Sequence, residues 1–209
     1  MNRRTLLGAV ALTALATAIP GLMRPALAET PATAPEVADL VIGNPDAKVT
    51  VVEYASYTCP HCATFHARVF KDLKANYIDT GKVRFIYREV YFDRYGLWAA
   101  MVARCGGEMR YFGIQDMLYA EQADWSGAGG AVDVVAALRK IGLKAGLTNE
   151  ALDACMQDGA MAEAMVAKFQ KDSAADGIDS TPSFVINGKK HGNMTYADLS
   201  KLLDGLLAG

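Results

Sequence analysis

The sequence predicts an α/β fold built from two separated pieces, with an all-helical insertion between them. Three observations carry this. Two β-branched, apolar runs flank a helical stripe early in the chain, giving strand, helix, strand. A stretch from Arg94 to Asp176 is rich in Ala, Met, Leu and Gly and has few strand signals. Strand signals then return at Ser183-Phe184-Val185-Ile186, close to the end. A gap that long between strands reads as inserted helices, not as a loop.

Composition bounds the function. The chain has 209 residues, 52% of them hydrophobic, enough for one core with an elaborate insertion. The formal net charge is −2 and no run of like charge occurs, so nothing attracts nucleic acid. Arg3 and Arg4 precede an apolar run from Leu6 to Ile19, and Ala26-Leu27-Ala28 is a small-x-small cleavage pattern. The run is too short to span a bilayer as a stable helix. Residues 1–28 are therefore expected to be a signal peptide, with export to the periplasm. Asn2-Arg3-Arg4-Thr5-Leu6-Leu7 partly matches a twin-arginine motif, and the Sec route stays open beside it.

The elements follow in order. Residues 29–38 are rich in Pro, Ala and Thr and read as a flexible lead-in. A short strand is expected at Asp39–Ile42, then a turn at Asn44-Pro45-Asp46. Val49-Thr50-Val51-Val52-Glu53-Tyr54-Ala55 reads as a buried strand. Pro60 suits the first position of a helix, since its missing N–H would be unpaired there anyway. Phe65, Val69, Leu73 and Tyr77 recur at i+4 and predict that helix over Pro60–Asp79, ended by Gly81. Val83–Val90 is the next strand. Within 94–176, helices are expected at about 95–105, 108–120, 129–141, 148–157 and 160–175. Asn187-Gly188 predicts a hairpin from Ser183–Ile186 into Lys189–Gly192. Thr195 caps a last helix striped by Leu199, Leu202, Leu203 and Leu206. The expected organisation is 39–93 with 177–209 as one domain and 94–176 as the insertion.

Cys59-Pro60-His61-Cys62 carries the chemistry. A lone C-x-x-C is ambiguous between redox work, half a zinc site and coincidence. Here it leaves a buried strand and opens an amphipathic helix, which is the redox setting. Cys59 would lie near unpaired backbone N–H groups and the positive end of the helix dipole, both favouring a thiolate. His61 can add a hydrogen bond or a positive charge. A thiolate is both nucleophile and good leaving group. Cys62, one turn deeper, would resolve the mixed disulfide. Thr181-Pro182 is the second landmark: proline cannot donate to a sheet ladder and belongs at the beginning of the strand that follows.

Val51 to Cys62, the helical insertion, and Gly177-Ile178-Asp179-Ser180-Thr181-Pro182-Ser183-Phe184-Val185-Ile186-Asn187-Gly188 together resemble the thioredoxin superfamily, and within it the DsbA family. The resemblance covers roughly residues 39–207. It implies a thioredoxin fold with an inserted all-helical subdomain, and a cis-proline loop at Thr181-Pro182 facing the cysteines. It implies donation of the Cys59–Cys62 disulfide to reduced exported proteins, then reoxidation by a membrane, quinone-linked partner of the DsbB type. By position, Glu53 matches a buried acid beneath the site that exchanges protons with Cys62. Thr181 departs from the Val of the best-known enteric members, which bears on how strongly this protein oxidises.

Cys105 and Cys155 both fall in predicted helices of the insertion. In an oxidising compartment they are expected to pair, closing a loop of about 50 residues that would stabilise by roughly 4 kcal/mol. No cofactor and no designed metal site is expected: Cys59, Cys62 and His66 lack a fourth ligand at suitable spacing. A monomer is expected. The competing readings are a reductase or isomerase on the same scaffold, and a chaperone or metal carrier using the helical surface.

Overall fold

The computed structural model describes residues 34–209. The expected signal peptide, the expected cleavage site and the first part of the expected lead-in lie outside the described residues. Residues 34–39 have no regular structure and run into β1 (Leu40–Gly43).

Five strands form one mixed sheet. β2 (Val49–Ala55) is central, parallel to β3 (Val83–Glu89) and antiparallel to β4 (Ser183–Ile186). β1 and β5 (Lys189–His191) close the edges in the order β1-β3-β2-β4-β5. The continuous apolar run of β2 suits a strand covered on both faces. Glu53 is opposite Tyr87 of β3 and Phe184 of β4, so its carboxyl starts from the middle of the sheet. The Asn187-Gly188 turn has positive φ at both residues, 45° and 82°, the backbone a two-residue hairpin requires. Asn187 also accepts from the Thr50 backbone N–H at 2.8 Å, pinning the hairpin to β2.

The helix that opens at Pro60 is less regular than its stripe predicts. α1 (Pro60–Phe65) and α2 (Lys71–Leu73) are joined and followed by π-helical turns at His66–Phe70 and Lys74–Ile78. Phe65, Val69, Leu73 and Tyr77 are nevertheless all buried. The i+4 stripe marks which face packs and is blind to an extra residue in a turn.

Between β3 and β4 lie six helices, one more than the sequence predicts. α3 (Arg94–Cys105) is capped by Asp93, whose Oδ1 accepts from the Tyr95 and Gly96 N–H groups. α4 (Gly107–Ala120) leads at once into α5 (Gln122–Ser126), the helix the sequence does not announce. α6 (Ala131–Lys144) starts later than expected, because Asp133 reaches back to the Gly130 N–H. α7 (Asn149–Met156) and α8 (Gly159–Ala175) are capped by Thr148 and Asp158. After the sheet, Thr195 caps α9 (Tyr196–Ala208) as predicted.

One apolar core runs from the sheet into the insertion. Val51, Phe65, Phe85 and Leu199 belong to the same buried cluster as Tyr111, Leu118, Leu138 and Leu152. A smaller cluster on the opposite sheet face joins Val52, Tyr54, Ile86, Val90 and Val185 beneath Phe169 of α8. Cys105 and Cys155 are joined as a disulfide between α3 and α7, their Cα atoms 5.8 Å apart. Among the described residues, no helix is long and apolar enough to cross a membrane.

Candidate active site

Cys59 ends the turn after β2 and occupies the N-cap of α1, with extended backbone (φ −84°, ψ 117°). The Cys59 side chain makes no capping hydrogen bond, so the orphan N–H groups of the first turn have no side-chain partner. Pro60 follows at the position where a missing N–H costs nothing. Cys59 and Cys62 are both free thiols. Cys59 retains 8% exposure and Cys62 none, so only the first sulfur can be reached from outside.

The two sulfurs are pushed in opposite directions. The Cys59 thiol is lowered from an ordinary 9 to about 5. The Cys62 thiol donating to it is the largest cause, and burial works against it. The Thr181 side chain and the backbone N–H groups of Cys62 and His61 add to the lowering. Burial raises the Cys62 thiol well above its ordinary value, and the Cys59 and Glu53 side chains push the same way. The pair therefore presents one ready thiolate and one reluctant thiol.

Thr181-Pro182 comes to the same place. Its peptide bond is cis, and the Thr181 carbonyl accepts from the Cys59 sulfur at 3.5 Å. Glu53 lies beneath, 1% exposed, with one carboxyl oxygen lacking any partner. Burial raises its acid to about 8. The His61 side chain is exposed and makes no hydrogen bond to Cys59. The backbone N–H of His61 favours the Cys59 thiolate. His66 is buried against Phe70 and Tyr119 and bonds Asp116 through Nε2 at 2.6 Å. It is thus occupied elsewhere. Among the described residues, no three His, Cys, Asp or Glu side chains gather as metal ligands.

Under the turn sits a layer of tyrosines that no spacing in the sequence reveals. Tyr57 and Tyr111 share a hydrogen bond of 2.7 Å, as do Tyr87 and Tyr119 at 2.6 Å. Tyr111 also donates to Glu89, which Arg104 holds. Burial raises all four phenols well above their ordinary range, so they remain neutral donors. The sequence also gives no hint of Gln122, whose amide reaches the backbone of the cysteine turn from α5.

A strand-turn-helix C-x-x-C facing a threonyl-proline loop, on a sheet of this order, can be compared with known proteins. The sequence pattern of the family described as Thioredoxin matches residues 36–205. The chain belongs to the thioredoxin family. The match spans both pieces of the sheet and the insertion of this thioredoxin-family chain. Its solved neighbours include alpha-DsbA1 of Wolbachia pipientis, with a TM-score of 0.75 and 29% identity, covering 84% of this chain and 94% of that one. Among curated relatives, a Rickettsia bellii protein named as a protein-disulfide oxidoreductase is 35% identical over 167 residues, 79% of this chain. The chain spans 63% of that relative's length. Disulfide bond formation protein D of Bacillus subtilis is 27% identical, covering 81% of this chain and 77% of its own.

Proposed function

We propose that this chain is an exported thiol–disulfide oxidoreductase acting as a dithiol oxidase. A thiolate of a reduced, newly exported protein attacks Cys59 of the Cys59–Cys62 disulfide. The S–S bond breaks, the mixed disulfide forms at Cys59, and Cys62 leaves and takes a proton. In this reading Glu53, held protonated near neutrality by burial, supplies it. A second substrate thiolate then attacks the substrate sulfur and expels Cys59 as a thiolate. The substrate gains a disulfide and this chain keeps two electrons as a dithiol. A membrane, quinone-linked partner of the DsbB type takes those electrons in this reading.

The observation that carries the direction is the lowered Cys59 thiol. A stable thiolate is a good leaving group and stabilises the dithiol form, making the disulfide the stronger oxidant. Each tenfold gain in that stability moves a two-electron potential by about 30 mV. The names of the Rickettsia and Bacillus relatives and the likeness to alpha-DsbA1 support the same chemistry. We assign residues 1–28 as a signal peptide and 94–176 as the insertion on the sequence pattern given above.

Equilibration of the Cys59–Cys62 pair with a glutathione buffer tests the direction. An oxidase should equilibrate well above the about −270 mV of thioredoxin. A value at or below that would make the chain a reductant. Replacing Cys62 by Ser should trap substrates as mixed disulfides at Cys59.

A further inference from the structure

Four consecutive residues of the turn that delivers Cys59 are held by side chains: three from the insertion, and Thr58 by Asp93 just before it. The Tyr119 hydroxyl donates to the Ser56 carbonyl at 3.3 Å. Gln122 donates one amide hydrogen to the Tyr57 carbonyl at 2.7 Å and the other to the Cys59 carbonyl at 3.0 Å. Asp93, the N-cap of α3, accepts from the Thr58 hydroxyl at 2.7 Å. Gln122 is buried, and its approach is fixed from behind. Trp125, on the same short helix, donates its indole N–H to the Leu118 carbonyl at 2.7 Å.

A primary amide has two N–H donors, and both are committed here to carbonyls two residues apart. The Cys59 carbonyl also accepts from the Cys62 and Ala63 N–H groups, the first bonds of α1. Gln122 therefore grips the point where that helix begins. The direction of the His61 and Cys62 N–H groups, which bear on the Cys59 sulfur, follows from where that point lies.

We propose that Gln122 is a positioning residue for Cys59: carried on α5 of the insertion, it sets the orientation of the cysteine turn and thereby the share of Cys59 held as thiolate. This rests on Cys59 being the reactive sulfur, as proposed above. Leucine at 122 fills the space and withdraws both donors from buried carbonyls, so the turn must shift to pair them again or admit water. Glutamate at 122 keeps the shape and sets a negative charge against a turn that has to hold a second one.

The test uses the full exported chain with its Cys105–Cys155 disulfide intact and Cys59–Cys62 reduced. The Cys59 pKa is read from ultraviolet thiolate absorbance against pH, and the potential from glutathione equilibration. Gln122→Leu should lower the thiolate-to-thiol ratio about tenfold, one pKa unit. The potential should fall correspondingly by about 30 mV. Gln122→Glu should move both in the same direction. Gln115 is the control: it is fully buried in α4 and neither of its amide atoms has a partner. Gln115→Leu should leave both readings at the wild-type value. If Gln122→Leu only lowers the unfolding temperature while pKa and potential stay put, the proposal is overturned. Should that variant not fold, Gln122→Glu is judged by the same criterion. A wild-type Cys59 titrating near 9 would sink the functional reading and this proposal together; a low wild-type value with unmoved variants sinks this proposal alone.

Discussion

Arg104 grips Glu89 through Nε at 2.9 Å and Nη2 at 2.6 Å, joining the first helix of the insertion to the end of β3. Glu89 also accepts from the Tyr111 and Tyr91 hydroxyls, so its buried charge is surrounded by donors. Removing one partner of a buried pair costs more than the pair contributes, because the other charge is stranded. Arg104→Ala should destabilise by about 3 kcal/mol in urea unfolding. A loss under about 1 kcal/mol would mean that water replaces the guanidinium without cost.

Oxidation state should decide how stability depends on pH. Cys59 has its folded pKa depressed to about 5 from 9, so its contribution is complete above about 9 and is lost as pH falls through 5. Glu53 has its folded pKa raised to about 8 from 4.5, so its contribution is complete below about 4.5 and is lost as pH rises through 8. The two oppose each other in the dithiol form. Closing the Cys59–Cys62 disulfide removes the cysteine contribution alone. The reduced protein should thus gain on the oxidised one as pH rises from about 5 to 9, seen in urea midpoints of both forms. A gap constant over that range would contradict the thiolate.

Glu53→Gln isolates the second group. The amide stays neutral where the carboxylate must either keep its proton or carry a buried charge. Relative to the wild type, this variant should gain on the order of 1–3 kcal/mol between about pH 5 and 9, an unpaired amide offsetting part of the benefit. Parallel stability curves for the two proteins would show that Glu53 does not titrate between those limits.

The disulfide between α3 and α7 closes a loop with a sequence separation of 50. Cys105→Ser with Cys155→Ser should cost roughly 4 kcal/mol in the chain-entropy account. Calorimetry under non-reducing conditions measures it. An unchanged transition would show that the helices hold their places by packing alone.

Most of what could be read from the sequence is local. β2, the hairpin at Asn187-Gly188, the Thr195 cap and the cysteine turn are each encoded within a few residues. What stayed hidden depends on residues far apart. Gln122 meets the Cys59 carbonyl across 63 positions, and Tyr57 meets Tyr111 across 54. No periodicity reports such pairs, and α5 is too short to show a stripe of its own. His61 is expected to act through its imidazole, which is exposed, while its backbone N–H is what favours the Cys59 thiolate here.

β4 stands beside β2 in the sheet, yet 127 residues of chain separate Ala55 from Ser183. A chain emerging from a ribosome therefore presents both cysteines long before Thr181 and Pro182 exist to face them. Until the last seventh of the polypeptide arrives, the unfinished molecule carries two accessible thiols with no opposing loop. Whatever guards those thiols during synthesis has to come from outside the chain, or the wait has to be short.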